Sequence, residues 1–128
     1  MRAILVPADS SRLGEMLSFL SEGFPEDFIG LGPRVERAMR ELVGLVHDVS
    51  YGGKSGNVQV SRKFVTFNGE ACLIVTVCDW GAPYDPFDDP GHGEFGGPGA
   101  RLADYLSYHY NQNSNVNEMY FLAPEAGG

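Results

Sequence analysis

Val58 to Trp80 reads VQVSRKFVTFNGEACLIVTVCDW. Two β-rich runs, Val58–Phe67 and Ala71–Trp80, flank Asn68-Gly69. Asn and Gly accept the positive φ angles that a two-residue turn between twisted strands requires, so the stretch predicts a β-hairpin. The second run, Cys72-Leu73-Ile74-Val75-Thr76-Val77-Cys78, is apolar at both odd and even positions. Both faces must then be covered, which puts this strand in the middle of a sheet.

Upstream, Pro33 suits the first position of a helix, where its missing N–H costs nothing. Val35, Ala38, Met39, Leu42, Val43, Leu45, Val46 and Val49 then recur at helical spacing, the strongest helical stripe in the chain. Tyr51-Gly52-Gly53-Lys54-Ser55-Gly56 breaks it. Earlier still, Ala3-Ile4-Leu5-Val6 predicts a first strand stopped by Pro7. Asp9-Ser10-Ser11 offers N-cap oxygens to a helix running on Leu13, Met16, Leu17 and Leu20 to about Glu22. Phe24, Phe28, Ile29 and Leu31 form an apolar connector, read as a packed loop.

Downstream, Gly81 to Gly99 is rich in glycine, proline and acids and almost free of aliphatics. Loops of this length in a compact domain are usually lids or binding loops. Leu102, Tyr105, Leu106 and His109 then predict a helix from about Gly99 to Tyr110. Val116 to Ala123 predicts a last strand after an Asn/Ser-rich turn at 111–115. The order is β-α-α-β-β-α-β, without repeats. Hairpins rather than repeated βαβ units imply an α+β class: a two-layer α/β sandwich with a mostly antiparallel sheet and helices on one face. The 128 residues make one domain, 1–128.

Nine Lys and Arg against seventeen Asp and Glu give a net charge of −8. That charge repels a phosphate backbone, so nucleic acid and anionic membranes are not expected partners. It suits a protein that meets a basic surface, or one that holds a small ligand through backbone groups. Cys72 and Cys78, spaced about 20 Å apart on one strand, cannot bridge and read as buried hydrophobes. Met1 to Pro7 is too short an apolar run for a signal-peptide core, and cytoplasmic placement is expected.

Four constellations could carry chemistry. Asp79-Trp80-Gly81 ends the apolar strand: a buried carboxylate there could accept from an exocyclic amine, and Gly81 would let a flat ring approach the backbone. The same residues also read as a strand end capped by Asp79. Gly91 to Gly99 fits GxGxxG formally, but no strand precedes it, which excludes the dinucleotide fold. Its N–H groups could still bind phosphate at a helix N-terminus. Glu41, Leu45 and Asp48 share one flank of the long helix, where an acid could look into a cleft or simply meet solvent. Asp85, Asp88, Asp89, His92 and Glu94 match no EF-hand or zinc spacing, and no metal site is assigned.

In combination these segments resemble the GHKL (Bergerat-fold, histidine-kinase-like) ATP-binding domains, closest to the bacterial anti-sigma-factor serine/threonine kinases. Glu41-Leu42-Val43-Gly44-Leu45 resembles the family's Glu-x-x-x-Asn box, and Asp79-Trp80-Gly81 its adenine-holding Asp-x-Gly. Ala82-Pro83-Tyr84-Asp85-Pro86 resembles a stretch of the anti-sigma branch. Gly96-Gly97-Pro98-Gly99-Ala100 resembles the second glycine box, and Asn115 to Phe121 the closing strand. Leu45 replaces the Mg²⁺-holding Asn, Val49 stands where a His is frequent, and Pro98 removes an N–H from the glycine box.

The resemblance implies ATP or ADP between the long helix and the sheet. Glu41 would be the catalytic base toward a partner's serine, Asp79 and Gly81 would hold adenine, and Gly97, Gly99 and Ala100 would wrap phosphate beside Arg101. It also implies a partner-switching regulator of transcription, with a sigma factor or anti-sigma antagonist as protein partner and a homodimer as assembly. Leu45 offers no oxygen to Mg²⁺, so weak or absent phosphotransfer is expected, and Leu45→Asn should restore some Mg²⁺ dependence of binding. The alternative is a non-catalytic interaction module on the same fold that no longer binds nucleotide. A small-molecule sensor using the same cleft is a third reading.

Overall fold

The computed structural model describes residues 2–86 and 103–123. Within them lie two α-helices, α1 (Leu13–Ser21) and α2 (Gly32–Leu45), and five strands: β1 (Ala3–Pro7), β2 (Asn57–Phe67), β3 (Glu70–Asp79), β4 (Tyr105–Asn111) and β5 (Ser114–Leu122). The strands form one antiparallel sheet in the order β1-β2-β3-β5-β4. The class is α+β. No helix of the described residues is long and apolar enough to cross a membrane.

The β2–β3 hairpin turns as its sequence predicts. Asn68 has φ 52° and Gly69 φ 81°, the paired positive angles of a two-residue turn. The doubly apolar strand β3 is the middle one of five. Leu73, Val75 and Val77 point to one face and enter the core, with Val58 and Val60 of β2 and Met119 and Phe121 of β5. The stripe of α2 and the buried Leu13, Met16, Phe19 and Leu20 of α1 complete that core. Cys72 is buried on the other face, and both cysteines are free thiols.

The segment before β5 corrects the sequence reading. Residues 105–110, read as the end of a helix, are strand β4, paired with β5 from Tyr105↔Tyr120 to Asn111↔Ser114. Leu102, Tyr105, Leu106 and His109 fit a helical period, but pairing with β5 overrides it and sends successive side chains to opposite faces. Leu106 and Tyr108 turn inward against the core, while Tyr105, Ser107 and His109 are exposed. Gln112 (φ 51°) and Asn113 (φ 66°) form a second two-residue turn, and such a turn demands a strand on each side. The order is therefore β-α-α-β-β-β-β.

The connector after α1 is packed, as read. It contains a 3₁₀ turn, Glu26–Leu31, with Phe28 and Leu31 buried. Phe24, Phe28 and Phe64 pack together, with Phe28 and Phe64 centroids 4.7 Å apart. The Arg62 guanidinium lies over the Phe24 and Phe64 rings and donates to the carbonyls of Leu20, at 2.7 Å, and Glu22. It thus satisfies carbonyls that the end of α1 leaves open. Arg62→Ala should lower unfolding free energy by about 2 kcal/mol, the scale of charge-assisted hydrogen bonds lost from a partly buried group. Arg62→Lys should recover only part of it, because an ammonium cannot reproduce the planar fork. Urea denaturation of both variants checks this.

Candidate functional site

At the C-terminal end of α2 the chain widens into a π-helical turn, Val46–Ser50. Such turns rotate the following side chains away from the helical stripe. Val49, the last residue of the predicted helical stripe, is accordingly exposed, whereas Ser50 is buried. Ser50 lands on the end of β3. Its hydroxyl donates to Asp79 Oδ1, and its carbonyl accepts from the Ala82 N–H at 2.8 Å.

Asp79 is 0 % exposed, a complete burial that a carboxylate tolerates only when its lone pairs are met. Besides Ser50, Oδ1 accepts from the Gly81 N–H at 3.1 Å and from Asn115 Nδ2 at 2.8 Å, and Oδ2 accepts from the Tyr84 hydroxyl at 3.2 Å. Asn115 lies directly opposite Asp79 on β5, so sheet register places its amide there. The same amide nitrogen reaches the Ala82 carbonyl at 3.0 Å, and its oxygen accepts from the Tyr108 hydroxyl. Tyr108 in turn accepts from the Tyr84 N–H at 3.1 Å. The loop after β3 is thereby tied to β4, β5 and the π turn. Tyr51 adds a further tie, donating to the Asn57 carbonyl and accepting from the Trp80 N–H.

One group in this cluster is unmet. Asn117, also 0 % exposed, donates to the Tyr84 hydroxyl at 2.7 Å, but its Oδ1 has no hydrogen-bond partner among the described residues. Buried polar atoms are rarely left so, and an orphan acceptor marks a place where a donor is missing. The Tyr84 hydroxyl links it to Asp79 Oδ2, which accepts one bond from the described residues against the three on Oδ1. A carboxylate oxygen can accept more than one, so the cluster retains acceptor capacity at Oδ2 and at Asn117.

Of the site residues predicted from sequence, Asp79 and Gly81 lie together in this cluster. A methyl on Gly81 would fall onto the Ser50 hydroxyl and carbonyl. The glycine therefore serves a close approach, here by the chain's own π turn. Glu41 is half-buried on α2, nine residues before Ser50 and so more than two helical turns away from it. Gly97, Gly99 and Ala100, with Arg101, lie outside the described residues, as do Asp88, Asp89, His92 and Glu94.

Leu45 is 1 % exposed in the hydrophobic core. An asparagine there would have to leave the core to offer its oxygen to a cation, so Leu45→Asn adds an enclosed amide before it adds a metal ligand. Asp48, on the same flank, is exposed beside His47. Among the described residues no group of His, Cys, Asp and Glu could hold a metal ion. Sequence reasoning missed Ser50, Tyr84, Asn115 and Asn117. The two asparagines carried a signal, being polar residues at alternate positions of a strand whose next alternate residues, Met119 and Phe121, are core. No family model, no curated protein and no solved structure matches the chain.

Burial, and then the neighbouring Asp79 charge, push the Tyr84 phenol well above its ordinary value. Unfolded tyrosine ionises near pH 10 while the folded Tyr84 keeps its proton, so the unfolded state gains by deprotonation and stability falls as pH rises through about 10. Tyr84→Phe should remove part of this alkaline fall. At neutral pH it should cost about 1–3 kcal/mol, because Asp79 Oδ2 loses its donor and Asn117 Nδ2 its acceptor. Denaturant titrations at several pH values between neutral and about pH 11 measure both effects.

Proposed function

We propose that the chain is a partner-switching regulator of the anti-sigma kinase type on a Bergerat-like sandwich, binding adenine nucleotide at the Asp79 cluster with little or no phosphotransfer. What supports the reading is the buried carboxylate at the end of the central strand, joined through Tyr84 to an Asn117 acceptor that no described residue meets. An exocyclic amine supplies two N–H donors, which matches the acceptor capacity at Asp79 Oδ2 and Asn117 Oδ1. A ligand without those donors leaves the acceptors unmet, which gives selectivity for an amino-substituted ring.

Catalysis is the weaker half of the family's chemistry in this chain. Glu41 has the half-buried helical position that a base toward a partner's serine would need. Leu45, however, presents an isobutyl group inside the core where the resemblance calls for a metal-binding oxygen. Without a cation bridging the phosphates, the charge that builds up in phosphoryl transfer is not neutralised. The second reading, an interaction module without nucleotide, is favoured by the four internal donors that already serve Asp79.

Titration calorimetry and thermal stabilisation with ATP and with ADP, each with and without Mg²⁺, test the proposal. Both nucleotides should bind, Mg²⁺ should change the affinity little, and no Mg²⁺-dependent hydrolysis or phosphotransfer should follow. Asp79→Asn, checked for folding by urea denaturation, should weaken both nucleotides by about tenfold or more. Absence of binding supports the interaction module, and robust Mg²⁺-dependent turnover contradicts the account of Leu45.

A further inference from the structure

The two edges of the sheet differ. At one edge, β1 is five residues long, follows Arg2 and ends in Pro7, which has no N–H to offer. At the other edge, β4 reads Tyr105-Leu106-Ser107-Tyr108-His109-Tyr110-Asn111. It pairs with β5 in unbroken register, without a bulge, and contains no Lys, Arg, Asp, Glu or Pro. Among the described residues no strand pairs with its outer side, so a row of its N–H and C=O groups faces away from the sheet. Edge strands are ordinarily blunted by charge, proline or a bulge, and β4 has none of these.

The sequence of β4 is complementary to itself. Residues directly opposite each other in an antiparallel pair share a face, so a two-fold axis that keeps the helix-bearing face continuous must pass through a residue. With the axis at Tyr108, the middle of the strand, Leu106 falls opposite Tyr110 of a second copy, and Ser107 opposite His109. Leu106, Tyr108 and Tyr110 lie on the helix-bearing face, opposite Met119, Asn117 and Asn115 of β5. Leu106 and Tyr108 already pack against the core, whereas Tyr110 is 43 % exposed. The pairing gives Tyr110 an apolar neighbour, and on the other face it joins the exposed Ser107 and His109. Charge favours the same occupant. Two copies carrying −8 each repel over much of their surface, but β4 brings no fixed charge to the contact. Asp104, just before it, is held to Arg34 at 3.3 Å and would face the neutral Gln112.

We infer that β4 is a homodimer interface: two copies pair β4 with β4, antiparallel about Tyr108, and join their two five-stranded sheets into one continuous sheet with the β1 strands outermost. The symmetry is closed, because both open edges are used and only the Pro7-ended edges remain. Tyr108 also belongs to the Asp79 cluster, through Asn115 and the Tyr84 N–H, so the axis sets the two clusters on either side of it. The inference goes beyond the proposed function and stands whether or not nucleotide binds.

A single strand pair is a small interface, so sedimentation velocity of the full chain from about 1 to about 300 µM should show a reversible monomer–dimer equilibrium with a micromolar Kd. Ser107→Lys combined with His109→Lys sets lysines opposite each other at both symmetric pairs and should weaken the dimer at least about tenfold. It does so while lowering the net negative charge, so a general change in repulsion between copies would act the other way. Ser107→Glu combined with His109→Lys sets opposite charges at the same pairs, leaves the net charge unchanged, and should recover wild-type affinity to within about threefold. Leu5→Lys, on the other edge strand, should move it by less than about twofold. All three positions are exposed, and urea denaturation of each variant confirms that it folds. Monomer at every concentration, a dimer indifferent to the paired lysines, no recovery with the Glu–Lys pair, or an equal loss with Leu5→Lys would overturn the inference.

Discussion

The end of the sheet is organised by one buried charge. Among the described residues Asp79 has no cation as a hydrogen-bond partner, and its carboxylate is met by four neutral donors from three segments: Ser50 of the π turn, Gly81 and Tyr84 of the following loop, and Asn115 of β5. An ionised group in that position makes each donor costly to remove. The donors come from segments up to 65 residues apart, the separation of Ser50 and Asn115, which themselves touch. The carboxylate thus joins the helical layer to the sheet at a point where apolar packing stops. The π turn, the close pass of Gly81 against Ser50 and the inward Asn115 are each local departures that serve this one group.

This arrangement bears on how a strand-end aspartate can take a ligand. A fully occupied carboxylate holds structure, whereas an empty one would be too costly to bury. Asp79 lies between these extremes, with three donors on one oxygen and one on the other. Asn117 extends the unfilled side with an acceptor that no described residue meets. Structural and ligand-facing roles can therefore coexist on the two oxygens of one side chain. Leu45 is buried in the core and offers no oxygen to a cation, so on the proposed reading a nucleotide depends on its base more than on a metal.

What could be read in the sequence follows from how local each signal is. Asn68-Gly69 between β-rich runs specified its hairpin because turn chemistry acts over a few residues. The doubly apolar β3 announced its central place because burial acts on every side chain. Residues 105–110 failed because Leu102, Tyr105, Leu106 and His109 fall at i, i+3, i+4 and i+7, a helical spacing that carries no information on sheet pairing. The deciding constraint was pairing with β5, which lies outside that window. The π turn was invisible for a similar reason: Val49 continues the helical stripe perfectly, and only the contact of Ser50 with Asp79 explains why the helix gives it up. Asp79 and Gly81 were identified as a pair, but Asn115 and Asn117 join them through register, which no motif in the chain encodes.

The central claim is that the unpaired side of the Asp79 cluster receives an amino-substituted ring. Side-chain amide NMR of Asn115 and Asn117 during a Mg²⁺-free ADP titration tests it most directly, because each carboxamide reports on its own hydrogen bonds. The account predicts that the Asn117 amide shifts saturably with ADP, and that inosine diphosphate, which lacks the exocyclic amine, leaves it in place. Asn115, held by Asp79 and Tyr108, should move less. Unchanged Asn117 resonances at saturating ADP, or equal shifts with both nucleotides, would contradict it.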